Sequence, residues 1–399
     1  MSGPSDAFGG DVVDRWERKV QLGAHPLAYP FMRAIARRGP VVRVPRIGVV
    51  VSDATLARQV ITDTETFSKA AKGSPADLWT PVLGPAVLLN MTGDDHARMR
   101  KQLSGMFTPG YVRRVCERTL SGVLERMRAD LVAGREVDVV LQARLCAGAV
   151  ISEMVGMPYD PEAFEDLYER TTSITGLVRL HRAGFTRKQV VYARSVLDEL
   201  TAPAEIAYHR TDVETVAGRM RELGLSPEEA RSTVAAFVLT GTETLVSFIP
   251  RLIAMAYDGG WLDRMAFQPE VVDPVVTEAF RVAVPSPVML RGVVAEGRVG
   301  SVDVHPGDRM VISTLSSARA LGGFDPDRPH PPALRQLWFG AGVHFCLGMP
   351  LAMAEITRVL DTVLAARREV KGLDVVRREV GRHRMIPGYE TLFLQARTT

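Results

Sequence analysis

Apolar residues along the chain follow two different periods. In residues 40–53 (PVVRVPRIGVVVSD), Val and Ile flank Arg46-Ile47-Gly48. That pattern predicts two short strands joined by a turn, with a helix following over 54–60. Over 94–133 and 141–257 the apolar positions recur at helical spacing. The breaks fall at Thr108-Pro109-Gly110, Tyr159-Asp160-Pro161 and Ala183-Gly184. Ser226-Pro227-Glu228-Glu229 marks a helix start: an N-cap hydroxyl, proline in the first position, acids in the first turn. Another helix, from Asp273-Pro274 through Ala283, stops before Pro285-Ser286-Pro287. The Val- and Gly-rich stretch 288–313 predicts short strands with turns at Gly300 and Pro306-Gly307. Residues 322–334 are proline-rich and aperiodic, so an irregular meander is expected there. A glycine-rich loop and a helix over 347–367 follow. The pattern reads as mainly α with a smaller β part, an α+β chain, in one domain over 1–399.

The most apolar stretch, 232–257, contains Glu243 and Arg251. Ionisable groups are costly in lipid, so the stretch reads as a long buried helix and no membrane is expected. Composition agrees. Of 399 residues, 46% are hydrophobic and 24% charged, as in ordinary globular proteins. Lys+Arg is 49 against Asp+Glu 46, a net charge of +3. That argues against nucleic acid as a partner, which needs a concentrated positive field. Cys116, Cys146 and Cys346 are too few and too far apart for a disulfide framework or a four-thiolate zinc site. The first twenty residues carry no signal-peptide core, so a reduced, cytoplasmic protein is expected.

The richest chemistry lies in residues 339–348, FGAGVHFCLG. Gly340, Gly342 and Gly348 allow tight turns and close approach to a flat partner. Cys346 precedes a helix, where amides and the helix dipole are expected to lower the thiol pKa. A lone cysteine is more often a buried structural residue, and Cys116 and Cys146 are read that way. Cys346 is not, because the ordered run of Phe, three Gly, His and Cys is hard to reach by chance. A thiolate so placed is a strong ligand for haem iron.

This segment resembles the haem-ligand loop of the cytochrome P-450 family across all ten residues, and similarity to the family extends from the Val49 strand to the end. The resemblance implies a helix-rich triangular prism around a buried haem. The implied cofactor is haem b, with Cys346 as axial ligand and Phe339 and Gly348 beside it. Glu278 and Arg281, at i and i+3 on one helix face, match the family's Glu-x-x-Arg pair. The family closes that pair with a meander arginine, for which Arg328 is the candidate. The run DDHARMRKQLSGMFTP resembles the propionate-binding helix. It implies propionate contacts from His96 and Arg100, joined by Arg291 and His344; the plainer reading of His96 and Arg100 is an exposed polar face. Gly241, Glu243 and Thr244 match the family's Gly-x-Glu/Asp-Thr signature. There Glu243 and Thr244 would relay protons and Gly241 would leave room for dioxygen; a Thr hydroxyl bonding back to the i−4 carbonyl is the bland alternative. Two departures are visible in the proximal scaffold, Gln336-Leu337 for His-Leu and Ala318-Arg319-Ala320 for Asn-Arg-Asp.

The implied substrate pocket draws on 78–89 (including Leu78 and Leu89), 174–180 (including Leu177), Ala236, Phe237, Thr240, Val288, Met289 and 386–389 (Ile386 to Tyr389). These are mostly apolar, pointing to a lipophilic substrate, although each could equally be core. No Gly-x-Gly-x-x-Gly for a flavin or nicotinamide is present, so electrons must come from a separate ferredoxin or flavodoxin. Arg98, Lys101, Arg113, Arg114 and Arg118 form the basic face that would meet it, or simply a solvated face. A monomeric monooxygenase is expected, hydroxylating or epoxidising. Oxidative coupling or desaturation, and a haem-based sensor, are the alternatives. Six of the 49 basic residues are lysine, a bias associated with GC-rich bacteria and their secondary metabolism.

Overall fold

The computed structural model describes residues 7–179, 182 and 184–397, with side chains from residue 12 onward. The two strands at the start form as Val41–Val44 and Gly48–Val51, paired antiparallel. Arg46 takes the left-handed turn position at φ 66°. They join a five-stranded sheet whose order continues through Arg309–Ile312, Met289–Val293 and Phe67–Ser68. A three-stranded sheet sets Val137–Asp138 and Leu373–Val380 on either side of Tyr389–Ala396. The two C-terminal strands have no counterpart in the sequence reading. Neither do the helices Ala7–Ala24 and Ala28–Arg38, whose apolar positions are interrupted by glycine, proline and charge. Gly297–Val299 and Val302–Val304 form a separate two-stranded sheet; most of the remainder is helical, and the main hydrophobic core draws residues from Val13 to Ala396.

The apolar stretch is a pair of helices, Pro227–Gly241 and Glu243–Asp258, interrupted at Thr242. Its N-terminus is a capping box. Ser226 Oγ accepts from the Glu229 amide, and the Glu229 carboxylate accepts from the Ser226 amide at 2.9 Å, the arrangement that satisfies two otherwise unpaired donors. The span is long and apolar enough to cross a membrane, yet 72% of its most apolar window is buried within the protein. Its charges are accounted for. Arg251, fully buried, donates to Glu17 Oε1 at 3.1 Å and to the Pro387 carbonyl at 3.1 Å, tying this helix to the N-terminal helix and the C-terminal loop.

The Glu278–Arg281 pair is wholly buried in helix Val272–Ala283. Arg281 donates to both carboxylate oxygens at 2.7 and 2.6 Å, and to the carbonyls of Ala318 and Gly323 at 2.7 and 2.6 Å. The third partner is His330, not Arg328. His330 Nε2 lies 2.7 Å from Glu278 Oε2, while Arg328 turns to the Gly323 carbonyl at 2.9 Å and to Asp325 at 3.3 Å. The expectation for Arg328 fails for a chain-geometry reason. A second bond to the same carboxylate is taken by the Asp325 amide at 2.7 Å, and the following turn directs Arg328 back at its own segment. Phe280, on the same helix, stacks on Phe248 with ring centroids 3.8 Å apart. It also lies parallel to Trp338 at 5.8 Å and tilted against Phe339 at 5.1 Å. This column of rings locks three elements together: the central helix pair, the Glu278 helix and the loop carrying Cys346.

Candidate active site

Two glycines shape the thiol loop. Gly340 and Gly342 stand at φ 82° and 62°, a region where a Cβ brings strain. The turn lets the Cys346 amide donate to the Phe339 carbonyl at 2.8 Å, closing the loop just ahead of helix Met349–Glu369. Cys116 and Cys146 are buried, whereas Cys346 is exposed. Its exposure is inward, to a cavity of about 1040 Å³ that it lines. The Gly348 and Met349 amides donate to its sulfur. The expected lowering of the thiol pKa is not observed. Burial pushes it up and outweighs the two amides and the nearby positive charges of Arg100 and Lys69, which pull it down.

One side of the cavity is cationic. Arg100, Arg291, His96, His344 and Lys69 line it together. His96 and His344 face each other, with His344 Nδ1 and His96 Nε2 3.2 Å apart. Burial lowers both pKa values, assisted by the positive charge of Lys69, to about 4 for His96 and about 3 for His344. Both rings are therefore neutral near pH 7, one donating to the other. Burial also lowers Lys69 to about 8, helped by Arg291 and Arg100. Lys69 was missed by sequence reading. The signal available was register, because Lys69 follows the strand residue Ser68, which pairs with Gly292 beside Arg291.

The rest of the lining is largely apolar. Leu78, Leu89, Phe237, Thr240, Val288, Met289 and Ile386 all line the cavity, as do Ala236, Trp79 and Val87. Two expected pocket residues do not. Leu177 turns away, while its neighbours Gly176 and Val178 take the wall positions. Tyr389 is core, hydrogen-bonded to Arg378 within the three-stranded sheet, and burial raises its phenol pKa. Leu180 lies outside the described residues.

Gly241, Glu243 and Thr244 line the cavity where the central helix is interrupted. A Cβ on Gly241 would come within 2.9 Å of Ile151 Cδ1, so this glycine also serves close packing against helix Val139–Val155. Thr244 Oγ1 donates to the Thr240 carbonyl at 3.3 Å. The Glu243 carboxylate has other partners than that hydroxyl. It accepts from the Ile386 amide at 3.4 Å and from Thr175, and its second oxygen has no partner. Burial raises its pKa, against the pull of Thr175, the Ile386 amide and Arg384. The structure thus brings both groups to one cavity without joining them directly.

A second buried acid, Glu355, also lines the cavity, and its Oε2 has no partner. It lies in the apolar stripe Leu351–Glu355–Val359 of its helix, a position at which a charge breaks the pattern. Burial raises its pKa well above the ordinary carboxylate range. An acid whose folded pKa is raised contributes stability below its unfolded pKa and loses it as pH rises through the folded value. Glu355→Gln is therefore expected to melt like the parent at acid pH and several degrees higher at mildly alkaline pH. Melting curves across that range by circular dichroism check it; equal pH dependence in the two proteins would contradict it.

The basic face is less charged than its sequence suggests. Arg98 pairs with Asp95, Arg114 with Glu214 at 3.3 Å, and Arg118 with Glu153. Such exposed pairs contribute little stability, but they offset three of the five charges.

What fits between these walls is a flat group with anionic edges that offers a metal to sulfur. The cavity holds a single thiol with two amides on it. A Cβ added to Gly348 would stand 3.9 Å from that sulfur, and the cationic wall brings no carboxylate of its own. Iron porphyrin meets these requirements, so fold and site together fit the class of haem-thiolate proteins. No family model matches the chain, but curated relatives cover most of it. Nocardicin C N-oxygenase of Nocardia uniformis subsp. tsuyamanensis is 29% identical over 350 residues, covering 81% of this chain and 80% of that protein. Erythromycin C-12 hydroxylase of Saccharopolyspora erythraea is 28% identical over 327 residues, covering 77% and 78%. The solved BioI cytochrome P-450, in complex with an acyl carrier protein ligated to hexadec-9Z-enoic acid, matches with a TM-score of 0.77 at 20% identity. It covers 93% of this chain and 99% of that one. Over most of its length the chain is thus similar to bacterial cytochrome P-450 monooxygenases, in sequence and in fold.

Proposed function

We propose that this protein is a cytoplasmic, monomeric haem-b monooxygenase that oxidises a lipophilic small molecule in bacterial secondary metabolism. It takes electrons from a separate ferredoxin or flavodoxin. The observation that carries the reading is the common cavity, which sets the Cys346 thiol, a cationic wall, an apolar wall and a buried acid around one space. The haem, when bound, supplies dioxygen activation. The chain's own residues do the rest. Cys346 Sγ ligates the iron, with its charge spread over the Gly348 and Met349 amides. Arg100 and Arg291 hold the haem carboxylates by charge-assisted hydrogen bonds, with the His96–His344 pair orienting them. The apolar wall of Leu78, Leu89, Phe237, Val288 and Met289 binds substrate and excludes water. Glu243, kept protonatable by burial, donates its proton towards the Thr244 hydroxyl through water.

The curated relatives act by N-oxygenation and by hydroxylation, as their names state, which supports oxygen insertion over coupling or desaturation. Turnover under labelled dioxygen decides this. Label in the product supports insertion; unlabelled, coupled or desaturated product overturns it. Substrates are found by the spin-state change they induce on binding. Thr244→Ala is expected to leave substrate binding intact and to divert consumed oxygen into peroxide. Product per dioxygen should fall by up to about 10²-fold, the low end of what a positioned proton donor supplies. Unchanged coupling would remove Thr244 from the relay.

A further inference from the structure

Lys69 lines the cavity but has no role in the chemistry proposed above. It follows Ser68, whose strand pairs antiparallel with Met289–Val293 in the register Phe67–Val293 and Ser68–Gly292. One residue further along that register lie Lys69 and Arg291. Like charges opposed across neighbouring strands are destabilising. The chain is nonetheless held there firmly. The Lys69 carbonyl accepts from the Ala76 amide at 3.2 Å and from the Ser74 hydroxyl. The loop behind it folds over Gly292 so closely that a Cβ would meet the Lys72 carbonyl oxygen at 2.5 Å.

The same cavity wall carries Arg100, so three cations gather there. Arg291 donates to the Leu290 carbonyl. Among the described residues, none of the three forms an ion pair with a carboxylate of the chain. Of the two acids lining the cavity, Glu243 lies against Thr175 and Ile386 and Glu355 stands near Cys116 and Cys146, and neither pairs with these cations. His96 and His344 spend a ring nitrogen on each other. A wall with this charge requires an anion of more than one unit.

We propose that Lys69 is a third cation on the two haem carboxylates, beside Arg100 and Arg291. The inference rests on the haem reading above. An ammonium supplies a point charge and three donors, which suits a carboxylate edge already held from one side by arginine.

The test uses Lys69→Met, which keeps the length of the stem, with Lys69→Arg as the conservative variant. Haem transfer from the ferric holoprotein to excess apomyoglobin gives the release rate, and thermal melting gives apoprotein stability. Lys69→Met should release haem about 10-fold faster or more, the scale of one charged hydrogen bond. Its apoprotein should melt at the parent temperature or above, because a like-charge contact is removed. The ferric–ferrous potential should fall, and Lys69→Arg should restore both holoprotein properties. Unchanged haem release overturns the proposal. So does an apoprotein destabilised in proportion to the haem loss, which marks a structural role, and so does a defect confined to the binding of anionic substrates. Were the parent protein to bind no haem through thiolate, the reading of the whole site would fall instead, an outcome visible before any variant is made.

Discussion

Cys346→Ala is expected to remove the haem-thiolate spectrum and all monooxygenase turnover while leaving the fold in place. Among the described residues no other thiol lines the cavity. Cys116 and Cys146 are buried between packed helices, and burial, their largest influence, raises both thiols, Cys116 to about 12. Neither can replace the lost ligand. The loop itself does not depend on sulfur. Its closure is a backbone bond from residue 346 to the Phe339 carbonyl, and its position is fixed by the Phe280, Trp338 and Phe339 rings. The truncation does leave the Gly348 and Met349 amides without their acceptor, a cost of about 1–3 kcal/mol unless water enters. The apoprotein should therefore melt slightly lower but cooperatively. The decisive measurement is the absorbance of the reduced carbonyl complex. A band at the thiolate position in the alanine variant would refute the assignment of Cys346.

How far the sequence led depended on the range over which each feature is specified. Chemistry confined to a contiguous run was legible. The turn glycines, the thiol and the helix behind it lie within ten residues, and the Ser226 helix start is a local hydrogen-bond pattern. Features set by burial were misjudged. Helix position alone predicts a lowered Cys346 pKa, yet desolvation by the folded chain outweighs the local amides. Features set by contacts between distant segments were not legible. His330 reaches Glu278 across 52 residues, and its choice over Arg328 follows from the path of an aperiodic loop. Lys69 meets Arg291 through a two-residue strand too short to register as one. The Glu243 carboxylate, expected beside Thr244 because the two are sequence neighbours, is instead turned towards Ile386, more than a hundred residues away.

The second large effect is expected at the Glu278–Arg281–His330 cluster. Arg281→Met strands a fully buried carboxylate, and Glu278→Gln strands a fully buried guanidinium. Removing one member of such a pair costs about 3–5 kcal/mol, chiefly the penalty of the charge left behind. That is a large share of the roughly 5–15 kcal/mol by which domains are stable. The loss should be greater here than at an isolated pair. Arg281 also satisfies the carbonyls of Ala318 and Gly323, and Glu278 accepts from the Asp325 amide, so each substitution loosens the meander as well. His330→Ala removes one bond and no obligatory charge, and should cost less. The pH dependence has a definite sign. Burial would raise the Glu278 carboxyl, but the bonds from Arg281, His330 and the Asp325 amide, with the Arg281 charge, hold it below its ordinary range. The stability they contribute is complete above an unfolded carboxylate's pKa of about 4.3. It is lost as pH falls through the lower folded value. The parent should show this acid-side loss, and Glu278→Gln should lack its share of it. Urea unfolding of parent and variants at neutral and acid pH measures both effects. Because the cluster holds the meander beneath the Phe280–Trp338 column, the Arg281 variant should also retain less haem than its residual fold would suggest. A variant within about 1 kcal/mol of the parent at neutral pH would mean that the buried pair is not what fixes the thiol loop in place.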